Sequence, residues 1–227
     1  MGILMVRHGQ ASAGSADYDC LSERGVEQCR RLGQWLAATG HAFDAVLVGG
    51  MQRHAQSASA VAEGYAAAGG PALPDPELDA GLDEFDHHAV FQGFARSNAE
   101  QDVVRRAAAE GITALAPLIR GALGAWMAGS IPDVPESWQA FGERAAQAGA
   151  RLAARPGQRL LVLTSGGVVS RLAQQALGAS DRAVVDFSMA LRNSGLSEFQ
   201  ATDGALGLRS FNALPHLHDA RELWTYY

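Results

Sequence analysis

Three segments of the sequence repeat one local pattern, and that pattern limits the fold more than any other feature of the chain. Each segment is a short apolar run, then a turn that contains Gly, Arg or Ser, then a helical pattern: "ILMVRHG", "AVLVGGMQRHAQSASAVA" and "LLVLTSGGVVSRLAQQAL". Nearly continuous apolar strands are typical of a parallel sheet that is covered on both faces. Strands that alternate with helices therefore predict a doubly wound α/β fold, a three-layer sandwich with helices on both faces of a mostly parallel sheet.

Sequence patterns between and after these segments supply further elements. "SERGVEQCRRLGQWLAA" predicts a helix with Ser22 as its N-cap, and the apolar spacing from Trp138 to Ala148 predicts a second amphipathic helix. Near the end of the chain, "LSEFQATDGALGLRSFN" alternates in polarity around Asp203-Gly204, which is a hairpin signal. The sheet is therefore expected to gain an antiparallel edge strand.

A helical piece around residues 86–130 interrupts the strand–helix alternation. Its helical pattern is broken by Gly111 and Pro117, and it reads as a lid-like insertion beside the sheet. No linker or internal repeat divides the chain, so residues 1–227 are expected to form a single domain that carries this insertion. The apolar helices of the insertion are also a candidate homodimer face.

Composition excludes several classes of protein. The net charge is −6 and the chain has no dense basic run, which argues against a nucleic-acid binder that relies on phosphate contacts. No apolar segment is long enough for a membrane span or a signal-peptide core. The two cysteines, Cys20 and Cys29, are too few for a disulfide framework and lack metal-ligand spacing, so we expect a cytoplasmic protein without a membrane partner.

The three turns lie at the carboxyl ends of predicted strands, where ligands bind in open α/β sheets. They would bring Arg7 and His8, Arg53 and the "TSGG" turn that begins at Ser165 to one crevice. Two guanidinium groups beside glycine-rich helix N-termini favour an anion, and a phosphoryl group suits them best. We therefore predict a site for a phosphorylated small molecule.

His8 can act as the nucleophile at such a site, because an imidazole that attacks phosphorus splits one difficult displacement into two easier ones. A carboxyl group must then protonate the leaving oxygen, and Glu84 is the candidate, with Asp86 in reserve. The residues fit equally well a Glu84 that is only a surface carboxylate. His54 follows Arg53 on a helix and is expected to turn about 100° away from it.

The pair His87 and His88 is read as solvated loop histidines, with a contribution to the site left open. A metal site there is not expected, because the sequence supplies no third ligand.

These residues resemble the histidine phosphatase superfamily, also called the phosphoglycerate mutase-like family. "RHG" directly after an N-terminal strand is its signature; "LSERGVEQCRRLGQWL" is similar to its L-[ST]-E-x-G-x-x-Q-A-x-x-L-G helix, and "RHAQSA" to its R-A-x-Q-T-A segment. The resemblance runs from Ile3 to the C-terminal "TYY". It implies a phosphohistidine at His8, a proton donor at Glu84 and no cofactor or metal. Its phosphate ligands fall here on Arg7, Gly9, Arg53, Ser165 and Gly166.

Two departures from the family pattern bear on activity. The family carries a second histidine in an S-H-G-G-type turn, where this chain has Ser165, so the site looks weakened, altered or non-catalytic. Gly14 falls where the mutases have an asparagine after "RHG", so phosphoglycerate mutase activity is doubtful. Two functions remain: a metal-independent phosphomonoester hydrolase, and a regulatory protein that binds a phosphorylated ligand with weak or no turnover.

Overall fold

The computed structural model describes residues 2–12, 19–99, 102, 104–105, 115–155, 157–202 and 204–226. Six strands in this part of the chain form one sheet, whose order is β3-β2-β4-β1-β5-β6. Their bounds are β1 Gly2–Arg7, β2 Ala45–Val48, β3 Pro76–Leu78, β4 Leu160–Thr164, β5 Leu196–Thr202 and β6 Ala205–Ala213.

The sheet is mostly parallel, as predicted. β1 pairs in parallel with β4, and β2 pairs in parallel with β4 and β3. β5 pairs antiparallel with both β1 and β6, so it alone among the described strands runs against the others. The hairpin predicted near the C-terminus is thus present as β5 and β6, although Asp203 of its turn lies outside the described residues.

Alternation along the two central strands explains why the sheet needs cover on both faces. In β1, Ile3 and Met5 join the hydrophobic core on one face, whereas Leu4 and Val6 join the core on the other. β4 divides its residues in the same way. Successive side chains of a strand point to opposite faces. An apolar run without polar gaps therefore requires helices above and below the sheet.

Helices cover both faces and complete the three-layer sandwich. α1 (Glu23–Ala38) and α2 (Gln52–Ala67) cover one face, with Leu32 and Val61 fully buried in that core. The other core takes residues from α3 (His87–Ser97), α4 (Leu115–Met127), α5 (Trp138–Ala153), α6 (Gly166–Leu177) and α7 (Asp181–Ala190). Short 3-10 turns lie at Ala80–Leu82, Pro215–Leu217 and Arg221–Leu223.

Two of the predicted helices are confirmed with their caps or buried faces. Ser22 caps α1 by accepting a hydrogen bond from the Gly25 N–H, and the predicted face from Trp138 to Ala148 is buried in α5. In the predicted insertion, Pro117 lies within α4, near the first of its described residues. Gly111 lies outside the described residues. No described helix has both the length and the apolar character that crossing a membrane requires.

Candidate active site

The carboxyl ends of β1, β2 and β4 meet at one edge of the sheet. Arg7 pairs with Thr164 in register, and Val48 pairs with Leu163. The turn after β1 continues this register, since the His8 N–H donates to the Thr164 carbonyl over 2.9 Å. The topology thus brings the "RHG" and "TSGG" turns side by side, with the start of α2 next to them.

His8 is held in one tautomer by its own turn. Its Nδ1 lies 2.7 Å from the Gly9 carbonyl oxygen, which can only accept, so Nδ1 carries the proton. The His8 carbonyl accepts the Ser194 N–H over 3.1 Å, which fixes the backbone. Nε2 is therefore the nitrogen that keeps a lone pair available for attack.

The surroundings of His8 keep its imidazole neutral. His8 is 7% exposed. Burial lowers the pKa of His8 well below its usual value, and the charges on Arg7 and Arg53 lower it further. An imidazole among cations would ordinarily be unusual, but here the cations preserve the unprotonated nitrogen that a nucleophile needs.

Two guanidinium groups lie beside His8. Arg53 is 4% exposed, and its Nη1 donates to Asp19 Oδ1 over 2.7 Å. Its Nε is buried without a hydrogen-bond acceptor among the described residues. Arg7 donates from Nη1 to the Leu191 carbonyl over 2.6 Å, and its guanidinium also lines the cavity at His8. A buried cation with an unused donor favours an anionic ligand.

The two glycines predicted to bind phosphate have different environments. Gly166 lies against Arg7, so that a Cβ there would stand 3.4 Å from the Arg7 Nε. The Gly9 N–H instead donates to Ser57 Oγ over 3.1 Å, and a Cβ on Gly9 would stand 2.4 Å from the Gly25 carbonyl. Gly9 therefore packs the turn against α1 and orients His8, while Gly166 adjoins the arginines.

Glu84 faces the same cavity from the loop after the first 3-10 turn. Its Oε2 accepts the Gly167 N–H over 3.0 Å, and a Cβ on Gly167 would collide with Oε1. Burial raises the pKa of Glu84 above its usual value, even though the Gly167 N–H, Arg53 and Arg7 act in the opposite direction. A carboxyl whose pKa is raised beside two arginines is suited to general acid catalysis.

Arg144 of α5 fixes the loop that carries Glu84. Its Nη1 donates to the Asp83 carbonyl over 2.8 Å and to the Gly81 carbonyl over 3.2 Å. Its Nε and Nη2 pair with both carboxylate oxygens of Glu136, each over 2.8 Å. Asp86, the predicted reserve acid, instead caps α3 by accepting the Ala89 N–H. The structure thus separates the two carboxylates, with Glu84 in the cavity and Asp86 at a helix end.

The turn of His54 away from Arg53 does not take its side chain away from the site. Its helical position does turn it away from Arg53, but the side chain is fully buried next to the site: Nε2 lies 2.7 Å from Ser165 Oγ, and its ring centroid lies 5.8 Å from that of His8. Burial and the charge on Arg53 lower the pKa of His54 to about 3, against opposing effects of Asp19 and the Gly49 backbone. A neutral imidazole therefore lies next to the residues that form the candidate site.

His87 and His88 begin α3 and are not loop residues. The His87 side chain lines the cavity, and burial together with the neighbouring His88 lowers its pKa to about 4. The exposed His88 stacks on His87 at a centroid distance of 4.2 Å. Among the described residues, no three His, Cys, Asp or Glu side chains group closely enough to hold a metal ion.

The cavity at His8 has about 150 Å³ of space and a polar floor with apolar walls. Arg7, His8, Arg53 and Glu84 form the floor together with Gly166 and Gly167. The walls are mostly apolar and include Phe91, Ile119 and Leu123 of the predicted insertion, with Ala11, Phe85, Met189 and Tyr226 from other parts of the chain and the polar residues His87 and Ser188. A larger cavity of about 460 Å³ lies at the amino end of β1 and contains none of the predicted site residues.

Several residues that position the site were not predicted from the sequence. The buried Gln28 accepts the Gln10 N–H and donates to the Leu223 carbonyl over 2.6 Å and to Thr225 Oγ1 over 2.9 Å. It thereby ties the turn after His8 to the C-terminal segment. Gln28 stands in the helix motif that was noted in the sequence, so the signal was present, but its partner near the C-terminus lies 195 residues away.

Comparisons with known proteins agree with this architecture. The family model described as the histidine phosphatase superfamily (branch 1) matches residues 3–214. A search of curated proteins found no match.

Among solved structures, a putative alpha-ribazole-5'-P phosphatase from Escherichia coli is 21% identical, with a TM-score of 0.66 over 94% of this chain and 97% of that one. A phosphoserine phosphatase from Entamoeba histolytica, in complex with 3-phosphoglyceric acid, is 17% identical, with a TM-score of 0.63 over 95% and 98%. A phosphoglycerate mutase from Bacillus anthracis is 16% identical, with a TM-score of 0.65 over 96% and 95%.

Proposed function

We propose that this chain, which belongs to branch 1 of the histidine phosphatase superfamily, hydrolyses phosphomonoesters through a covalent intermediate on His8. The observation that carries the proposal is the pairing of a neutral imidazole, whose Nδ1 is fixed on the Gly9 carbonyl, with a carboxyl of raised pKa in the same cavity. Similar folds include enzymes that are named as phosphatases and as a mutase. The proposed reaction is therefore of the kind for which some proteins of similar fold are named.

The reaction has two displacements. The phosphoryl group lies between Arg7 and Arg53, whose charges stabilise its oxygens, and His8 Nε2 attacks phosphorus as the ester P–O bond breaks. Glu84 gives its proton to the departing oxygen, which leaves as an alcohol. Glu84, now a carboxylate, then takes a proton from water as the water oxygen attacks the phosphohistidine, and neutral His8 and inorganic phosphate are released. No metal or cofactor enters either step.

Ser165 stands, in this proposal, where the family has its second histidine. Loss of a charge-assisted hydrogen bond costs roughly 1.5–3 kcal/mol, which is on the order of 10- to 150-fold in rate. We therefore expect slow turnover. The variant that combines Ser165→His with His54→Ala, which vacates the neighbouring space, should raise kcat. The resemblance alone predicts a direct contact between Ser165 and phosphate, and the described side-chain contact of Ser165 Oγ is with His54 Nε2.

The walls of the cavity favour a substrate with an apolar leaving group. Phe85 stacks on Trp126 at a centroid distance of 4.5 Å, and Phe91 and Leu123 also face the cavity. Since the arginines are placed to neutralise one phosphoryl group, a second anionic group would meet a lining that is mostly apolar, with His87 and Ser188 as its polar side chains. We propose a phosphorylated small molecule of this kind and do not propose mutase activity. Gly14, where the mutases have an asparagine, lies outside the described residues.

Hydrolysis of p-nitrophenyl phosphate by the purified protein in excess EDTA tests this function. The wild type should release p-nitrophenol, and His8→Ala should abolish the release, while His218→Ala, which changes an exposed histidine, should retain it. Activity that survives in His8→Ala would refute the mechanism. Saturable binding of phosphomonoesters without any turnover would favour the regulatory, phospho-ligand-binding alternative.

A further inference from the structure

The serine at the N-cap of α6 does not cap its helix. Ser165 has the extended backbone of an N-cap residue, with φ −109° and ψ 163°, but its side chain makes no capping hydrogen bond. A serine at this position ordinarily accepts the N–H of the second or third helical residue. Here those residues are Gly167 and Val168, and the Gly167 N–H donates to Glu84 instead. Something must hold the hydroxyl away from the helix end.

The group that holds it is His54. Its Nε2 lies 2.7 Å from Ser165 Oγ, and both side chains are fully buried. His54 Nδ1 lies against the Gly49 backbone, where a Cβ would come within 2.3 Å, so the chain leaves space at Gly49 for this ring. The contact joins α2 to the turn after β4, two elements that both contribute to the candidate site.

The contact fixes the direction of the Ser165 hydroxyl in either tautomer of His54. Whether His54 Nε2 donates to Ser165 Oγ or accepts its proton, the distance of 2.7 Å requires a Ser165 side chain that points toward α2. In that rotamer Oγ makes no capping hydrogen bond with α6.

We propose that His54 is a positioning residue that keeps Ser165 from capping α6, and so keeps the first-turn N–H groups of α6 available to Glu84 and to the bound phosphoryl group. The proposal rests on the function proposed above, because it concerns the same site. Without the imidazole, the hydroxyl rotates toward the helix end and accepts the Gly167 or Val168 N–H. The helix then binds an anion less well, and Glu84 loses the donor that orients it.

This role predicts a rescue that a purely structural role would not produce. His54→Leu should weaken the binding of inorganic phosphate roughly 10-fold and lower kcat, because the freed hydroxyl now competes for the helix end. Ser165→Ala removes the competing hydroxyl and is the reference for the double variant. The double variant His54→Leu/Ser165→Ala should bind phosphate nearly as well as Ser165→Ala does. His54→Gln, whose amide N–H can reach Ser165, should retain most of the affinity.

A second buried imidazole supplies the matched control. His216 Nε2 lies 2.9 Å from Ser194 Oγ, in a segment outside the cavity. His216→Leu should lower the Tm much as His54→Leu does, but the further change Ser194→Ala should restore no phosphate affinity.

Isothermal titration with inorganic phosphate measures these effects without relying on turnover, so failure of the inference and failure of the proposed function can be told apart. Hydrolysis that does not depend on His8 refutes the function, whatever the titrations show. If Ser165→Ala weakens phosphate binding as much as His54→Leu does, and the double variant is no better, the hydroxyl binds phosphate directly and the inference is overturned. Unchanged phosphate binding in a folded His54→Leu protein overturns it as well.

Discussion

The proton of Glu84 is the residue-scale feature on which leaving-group chemistry depends. Because burial raises the pKa of Glu84, its acid form persists to a higher pH than for an ordinary carboxyl and is lost as the pH rises through the raised pKa. His8 must be neutral, and its lowered pKa keeps it so as the pH falls well below the usual histidine range. We therefore expect kcat/KM to be flat on the acid side and to fall toward alkaline pH.

Glu84→Gln should abolish the decrease in kcat/KM at alkaline pH that comes from deprotonation of Glu84. It should also lower kcat for an alkyl phosphate by roughly 10²- to 10⁴-fold. The loss should be much smaller with p-nitrophenyl phosphate, because a nitrophenolate departs without full protonation. Steady-state kinetics on both substrates checks this. The matched variant Asp86→Asn keeps a capping side chain at α3 and should leave both rates nearly unchanged. Equal losses on both substrates in Glu84→Gln would exclude a role as the acid.

At the scale of elements, α5 acts as the support of the loop that carries Glu84. Arg144 reaches across to the Gly81 and Asp83 carbonyls while Glu136 holds its guanidinium from the other side. Arg144→Met should keep the aliphatic packing of the side chain but release the loop, so we expect kcat for alkyl phosphates to fall roughly 10-fold. The effect should again be smaller for p-nitrophenyl phosphate, because the loop positions the acid rather than the nucleophile.

The control for this variant is Arg155→Met. Arg155, just after the end of α5, pairs with Glu77 through an exposed salt bridge, and exposed pairs contribute little to stability. Its kinetics should match the wild type on both substrates. A comparable loss in both arginine variants would assign the effect to general destabilisation.

Prediction from the sequence worked best for elements whose pattern is local. The apolar runs identified β1, β2 and β4 because they are buried on both faces, and Ser22 marked the start of α1 because a cap acts within one turn. β3, from Pro76 to Leu78, was not predicted from the sequence, because a short exposed edge strand has no run of buried apolar residues.

The surroundings of His54 could not be predicted, for a different reason. The helical angle was right, but which layer lies in that direction depends on β4, more than a hundred residues away.

At the scale of the whole molecule, Gln28 closes the site by connecting the two ends of the chain. Its amide links the turn after His8 to Leu223 and Thr225, and Thr225 in turn donates to Asn193 beside the His8 backbone. Gln28→Leu keeps the volume but leaves these buried groups without partners. We expect a loss of about 1–3 kcal/mol in the free energy of unfolding, measured by urea denaturation.

The same substitution at an exposed glutamine, Gln139→Leu, should change the free energy of unfolding by less than about 0.5 kcal/mol. Because Tyr226 of the C-terminal segment lines the cavity, Gln28→Leu should also raise KM. Unchanged stability and KM in Gln28→Leu would show that the C-terminal segment is held by other contacts.

The measurement that tests the central claim most directly is capture of the covalent intermediate. The protein is mixed with p-nitrophenyl phosphate, quenched within the first turnover in alkali, where a phosphohistidine survives, and digested for peptide mass spectrometry. The account predicts one added phosphoryl group on His8 in the wild type and a larger trapped fraction in Glu84→Gln if dephosphorylation is the slower step there. Hydrolysis that proceeds with no phosphoryl group on His8, or with the group on another residue, would contradict it.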